Sequence, residues 1–334
     1  MTVGNICFYG YVFGQSGVQG FYGEPGEHKI HRIFRVLFLG FSFFGMVFVA
    51  KTVTLYGKVF PISSNTELDG YKVKRWFPKS IWFSFHSFLK GYMLNASQLP
   101  NLGLERHLQY GKWQQRKNPF QISISLTSNT LQGKIAEVRQ ICLLLQQYLP
   151  LSKYKYALQL NESCPNLGHD QKQDPSETIA VLEEFRRMIP GLVIIVKYDL
   201  TVSPKTIIAV KPFCNGFCIG NSLGFGKLMD GKWWKKLFPK GSPLLKYFGG
   251  KFAGALSGAP LFELLMQWVI KMEREDDSVV IIAGDGVFCK KDIERLSYIK
   301  IVHGVALGSV ASLRPWRLYS LITYGNKIFR KRNL

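Results

Sequence analysis

Short apolar runs, each with a polar side chain at or beside its end, recur along almost the whole chain and restrict what it can fold into. They read "MVFVAK" (46–51), "GYMLNA" (91–96), "FQISISL" (120–126), "YALQLN" (156–161), "LVIIVKY" (192–198), "GFCIGN" (216–221), "VVIIAGDG" (279–286) and "GVALGS" (304–309). Runs this short and this rich in Ile, Val and aromatic residues suit strands buried on both faces. Helical patterns lie between most of them. Ile135, Val138, Cys142, Leu145 and Leu149 recur at helical spacing until Pro150 stops the run. Asp174, Pro175 and Glu177 read as an N-cap, a first-turn proline and a capping-box acid, and Leu261 to Met272 forms a further helix after Pro260. Parallel strands need crossover helices, so this alternation predicts an α/β chain folded as a (β/α)8 barrel. A short β element, "NICFYGYVFG" (5–14), precedes it, and inserted loops cover the C-terminal face; a doubly wound open sheet is the alternative.

No Ser/Gly/Pro-rich linker, single-sign charge run or repeat divides the 334 residues, so a single domain, 1–334, is expected. The net charge of +21 calls for an anionic partner, but the Lys and Arg residues are dispersed rather than striped. That spread favours a small anionic substrate over nucleic acid. Six scattered cysteines without a CxxC pair suit free thiols in a reducing compartment rather than zinc, and a cytoplasmic location is expected. No metal site is expected; His28 and His31 have no evident third ligand. Val36 to Ala50 is uncharged but shorter than a membrane span. It reads better as a helix end, a turn near Gly40 to Gly45, and a strand.

In a barrel the chemistry gathers at the C-terminal ends of the strands. Lys51, Asn95, Ser125, Asn161, Lys197, Asn221, Asp285 and Ser309 all fall at such ends. Asn and Ser also stop strands in the ordinary way, but lysine at the end of an apolar strand is harder to dismiss. "AGDG" (283–286) and "LGS" (307–309) offer glycine turns where a backbone approaches a phosphate.

Several blocks give the pattern a specific likeness. "LNESCPN", "VKYD", "IGNSLGFG", "VAKTVTL", "LNASQLPNLG", "GALSGAP", "IIAGDG" and "ALGSVASLRPWR" resemble the dihydroorotate dehydrogenase family of FMN-dependent barrels, in the family's order, from about Gly14 to Arg317. The resemblance implies a soluble, FMN-dependent dehydrogenase acting on a CH–CH bond, oxidising dihydroorotate to orotate in pyrimidine biosynthesis. It implies Cys164 as the base that takes a proton from C5 while hydride passes from C6 to the flavin. Lys51 then lies between flavin and substrate carboxylate, and Lys197 beside the flavin N1 and C2 oxygen. Asn95, Asn161, Asn166, Asn221 and Ser222 match pyrimidine-binding positions, amides suiting the alternating edge of an imide ring. Ser16, Lys51, Thr52, Asn161, Lys197, Gly258, Asp285, Gly286, Gly308 and Ser309 match positions around the flavin and its phosphate. The assembly considered is a homodimer.

Three positions depart from the family. Asp285 stands where adjacent glycines usually approach the phosphate, Gln98 replaces a glycine near the substrate, and Glu162 replaces an apolar residue. Strand alternation predicts that Glu162 points away from Asn161, toward the helix layer. A flavin reductase acting on tRNA and a non-catalytic barrel are the rival readings; the high charge favours the first, Asp285 and Gln98 the second.

Overall fold

The structure, a computed structural model, describes residues 1–24, 27–58, 68–69, 71–73, 76, 78, 80–162 and 174–332. Seven parallel strands make one sheet: β1 (Val12–Gly14), β2 (Phe120–Ile124), β3 (Tyr156–Asn161), β4 (Val193–Tyr198), β5 (Gly216–Ile219), β6 (Ile281–Ala283) and β7 (Val302–Leu307). Their order is β2-β3-β4-β5-β6-β7-β1. The regular ladder is open between β1 and β2. Residues 46–53 lie in that gap and bond to both edges, with Val47 N–H donating to Val12 O at 2.8 Å and Ala50 N–H to Gln121 O at 2.9 Å. They do so through isolated bridges rather than as a continuous strand.

The helices are α1 (Lys29–Leu37) and α2 (Phe85–Lys90), which border the cavity described below, and α3 (Leu131–Tyr148), α4 (Pro175–Met188), α5 (Pro204–Val210), α6 (Gly231–Leu237), α7 (Phe262–Glu275), α8 (Lys290–Ser297) and α9 (Leu318–Arg332). Thr130 caps α3, which runs to the residue before Leu149 as the periodicity predicts. Asp174 caps α4 through the Ser176 N–H, with Pro175 in the first turn. Glu177 completes no capping box; its carboxylate pairs with Lys134 of α3 at 2.6 Å. α1 ends at Leu37, the chain turns, and Met46 begins the bridging segment. Among the described residues no helix is long and apolar enough to cross a membrane.

Strand alternation sorts the core into two clusters. Outward-facing Ile122, Leu158, Leu160, Ile194 and Val196 join the large cluster that includes Val138, Ile141 and Leu145 of α3 and Leu182 and Phe185 of α4. Inward-facing Phe13, Ala157, Val193, Ile195, Cys218, Ile282 and Ala306 form a second cluster with Val47 and Val49. The N-terminal hairpin of Thr2–Val3 and Ile6–Cys7 adds Met1, Val3, Ile6 and Phe8 to this inner cluster. It packs near the starts of β4 and β5, since Gly4 lies against Val193 and Asn215. Farther along the same inward-facing series the residues become polar: Gln121, Gln159, Asn161 and Lys197, all buried.

One expected strand belongs elsewhere. Tyr92–Asn95, within "GYMLNA", is antiparallel to Ala255–Gly258 and to Ile81–Trp82, in a separate four-stranded sheet with Leu223–Gly224. Its burial alternates along the strand, as a one-sided strand requires, whereas β3 and β4 are buried at every position. Residues 46–53 bond directly to β2, where this strand was expected to lie between them, and the parallel sheet instead gains Val12–Gly14, the end of the N-terminal β stretch, beside β7.

Candidate active site

The C-terminal ends of the parallel strands and one edge of the antiparallel sheet enclose a cavity of about 500 Å³. β3 and β4 pair in the register Asn161↔Lys197, which sets an amide and an ammonium side by side on the inner face. A hydrogen-bonded chain runs outward from them. Lys197 Nζ donates to Ser16 Oγ at 3.1 Å, Thr52 Oγ1 to Ser16 Oγ at 3.3 Å, and Asn161 Nδ2 to Thr52 Oγ1 at 3.2 Å. Asn221 Nδ2 donates to Asn161 Oδ1 at 2.7 Å. A second chain comes from the antiparallel sheet: Asn95 Nδ2 donates to Ser222 Oγ at 3.0 Å, and Ser222 and Ser257 share a hydroxyl contact at 2.7 Å. Asn95 therefore reaches the site from the antiparallel sheet, not from the end of a parallel strand.

Lys51 closes another side. Its ammonium lies 5.0 Å from the centroid of the Phe21 ring. Enclosure by the cavity walls lowers its pKa to about 8, opposed by the charge of Glu27. Glu27 holds the adjoining loop: its carboxylate accepts the N–H groups of Phe21, Tyr22 and Glu24, and burial pushes its pKa up to about 7. His28 also borders the cavity, bonded through Nε2 to Gly17 O at 2.8 Å; burial holds its pKa down at about 4. Among the described residues no group of three or more His, Cys, Asp or Glu side chains could hold a metal ion.

Gly258, Asp285, Gly286, Gly308 and Ser309 border the same cavity. Every described residue matched to a catalytic, substrate or cofactor position thus lines one space, whereas Ser125 lies off it with its hydroxyl donating to Asn161 O at 3.2 Å; Cys164 and Asn166 lie outside the described residues. Asp285 has φ +63, the left-handed region that favours glycine. Burial raises its carboxyl pKa to about 8 against the opposing pull of Lys197, so the acid is mostly uncharged at neutral pH. Gln98, at φ +51, likewise occupies a backbone conformation natural to glycine. Both departures from the family's glycines keep a glycine-like backbone. Glu162 faces the other way from Asn161, toward Lys134 and Thr178 of the helix layer, and burial raises its pKa.

Gln15 was not evident from sequence. A Cβ on Gly220 or Gly284 would fall 2.1 and 2.0 Å from its Nε2, so those two glycines make the space its side chain fills. Both atoms of its amide are buried without a protein partner, as is Oδ2 of Asp285. Unpartnered buried polar atoms beside Lys197 and Asn161 suit a flat heteroaromatic ligand with alternating donors and acceptors. The paired glycines were the readable signal, because small residues at successive strand ends leave room for a neighbour. Toward the mouth the lining turns apolar, with Phe34, Phe38, Ile81, Phe83, Phe88 and Trp316.

No family model matches this chain, and no curated protein matches it. Among solved structures it is similar to the crystal structure of ligand-free DHODH from Eimeria tenella. The match has a TM-score of 0.62, covering 98% of this chain and 86% of that chain at 13% identity. The two share a fold. An identity that low carries the architecture and leaves the reaction to the residues of the cavity.

Proposed function

We propose that this chain is an FMN-dependent oxidoreductase of the dihydroorotate dehydrogenase type, oxidising dihydroorotate or a close relative. The single observation that carries this reading is the hydrogen-bonded chain Lys197–Ser16–Thr52–Asn161–Asn221 at one end of the parallel strands. On this reading residues 46–53 act as an irregular eighth strand of a (β/α)8 barrel, and 1–334 is one domain.

The residues fit a flavin. The orphaned Gln15 amide and the buried Lys197 supply polar groups for a heteroaromatic edge, and an uncharged Asp285 does not oppose an anionic cofactor. Gly286, Gly308 and Ser309 would hold its phosphate. The bound flavin would supply the two-electron acceptor. Lys197 places positive charge where negative charge develops on reduction. Asn95, Asn161, Asn221 and Ser222 hold the substrate ring by donor–acceptor pairs, with Asn166 in the same role, and Lys51 meets its carboxylate. Cys164 would take the proton from the substrate carbon. The enclosed site strengthens each of these interactions by excluding water.

The test is spectroscopic. Purified protein reconstituted with FMN is expected to show visible flavin absorbance that dihydroorotate bleaches anaerobically. Absence of flavin binding would sink the reading; flavin that no dihydroorotate bleaches would move it to another substrate.

Lys51 makes this pH-dependent. With its pKa lowered to about 8, the side chain is charged below that pH and neutral above it. Orotate affinity is therefore expected to be constant below about pH 8 and to fall roughly tenfold per unit above it. Lys51→Met should bind weakly and lose affinity less steeply above pH 8, where the ionisation of Asp285 in the same cavity remains. A wild-type profile no steeper than the variant's would remove Lys51 from contact with the carboxylate.

A further inference from the structure

We propose that a second cavity, on the flank of the parallel sheet, binds a small phosphate-bearing molecule through Arg116. The cavity measures about 270 Å³ and shares no lining residue with the candidate active site. Arg116 is half-buried and lacks a counter-ion. Its guanidinium lies 3.8 Å from the centroid of the Phe48 ring and 5.5 Å from that of Phe120, and burial works against its charge. Arginine does not shed its proton in a protein, so a partly desolvated guanidinium calls for an anion. Its Nη1 donates to Tyr22 O at 2.9 Å, but among the described residues no carboxylate forms an ion pair with it. The two acids of the adjoining loop are engaged elsewhere. Glu24 pairs with Lys112 at 2.8 Å and accepts the Tyr71 hydroxyl at 2.5 Å, while Glu27 accepts three backbone N–H groups.

The guanidinium is held in place before any ligand arrives. Gly23 has φ +78, and a Cβ there would come 3.4 Å from Arg116 Nη1 and 3.3 Å from the Phe48 ring, so the loop passes close over the stack. Trp113 Nε1 donates to Phe21 O at 2.7 Å and pins the same loop. Stacking occupies the face of the guanidinium and leaves its in-plane N–H edge for a ligand. Preorganisation of this kind cuts the entropy lost on binding. The charge count sets the ligand class. Lys112, Arg116 and Lys117 line the cavity against one acid, Glu24. With Lys112 paired to Glu24, Arg116 and Lys117 leave two positive charges, matching the about −1.5 to −2 that a phosphate monoester carries near pH 7. The guanidinium fork also fits two phosphate oxygens. Since the volume falls below the roughly 300–1,000 Å³ of drug-sized sites, the ligand is small. Tyr9 is 41% exposed and anchored by its hydroxyl to Met46 O, so its ring offers a face on which an aromatic ester can stack.

The test is calorimetric titration of the full chain with inorganic phosphate and with phenyl phosphate. Excess FMN is present to fill the main cavity, and ionic strength is low so that the attraction is least screened. Both ligands should bind saturably. Arg116→Met is expected to weaken phosphate about tenfold or more, and Lys117→Glu about fivefold. Arg116 and Lys117 lie outside the main cavity, so the variants report on this site whether or not flavin binds, and neither should change flavin absorbance. If Arg116→Met melts early, having released Tyr22 O, the exposed Lys117→Glu decides alone. Tighter binding of phenyl phosphate assigns the site to an organic ester, and equal binding assigns it to the free ion. The proposal is overturned if the wild type shows no saturable binding below about 10 mM, or if the charge variants bind phosphate as the wild type does.

Discussion

Lys197→Met is expected to leave the protein folded while slowing anaerobic flavin bleaching by about 10²- to 10³-fold. Lys197 is 3% exposed and donates to Ser16 Oγ, so methionine replaces its length and apolar stem while removing the charge. Folding should survive because burial already pushes the pKa of Asp285, an acid within the field of Lys197, up to about 8. Loss of the lysine raises that pKa further and favours the uncharged acid. The flavin of the variant should also be reduced at a more negative potential, a readout that a purely structural role would leave unmoved. A bleaching rate within twofold of wild type would exclude Lys197 as the group that meets the developing charge.

Gly258→Ala is expected to destabilise the fold by about 4 kcal/mol, measured by urea unfolding. Gly258 has φ +127, and a Cβ there would stand 2.2 Å from Gly91 O and 2.7 Å from Tyr92 Cα. Both obstacles are backbone: Tyr92 pairs with Gly258 in the ladder, and Gly91 O just before it accepts the Ala259 N–H at 2.8 Å. Relief requires the two strands to part, which would also shift Ser257 and Asn95 from the second polar chain. Gly226 is the control: at φ +82 with nothing within 4 Å, its alanine variant should cost about 1 kcal/mol. Equal losses for the two variants would show that the strand crossing at Gly258 is looser than described.

The parallel sheet was legible where strands carry their own signature. β3 and β4 are apolar on both faces because helices cover one side and the inner cluster the other, so their sequences name them without further context. Tyr92–Asn95 has the same apolar content, and only its partner, Ala255–Gly258, reveals that it runs antiparallel. That pairing spans more than a hundred and fifty residues of sequence, and no local pattern records it. Val12–Gly14 was read as the end of a β element, but three residues carry too little pattern to show that it joins the parallel sheet beside β7. Among the candidate site residues, Asn161 and Lys197 were readable because each ends a clear strand. Gln15 was not, since its place depends on the absent side chains of Gly220 and Gly284. The alternation argument for Glu162 held because β3 is regular to its last residue, and a regular strand sends neighbours to opposite faces.

The N-terminal hairpin has a consequence for traffic through the interior. Met1, Val3, Ile6 and Phe8 stop the inner face at the strand starts, with Phe13, Val47 and Val193 above them. The polar layer of Gln159, Asn161 and Lys197 therefore rests on an apolar plug. Among the described residues, ligand and solvent thus meet Asn161 and Lys197 from the strand-end side, where the cavity lies, and not through the strand starts.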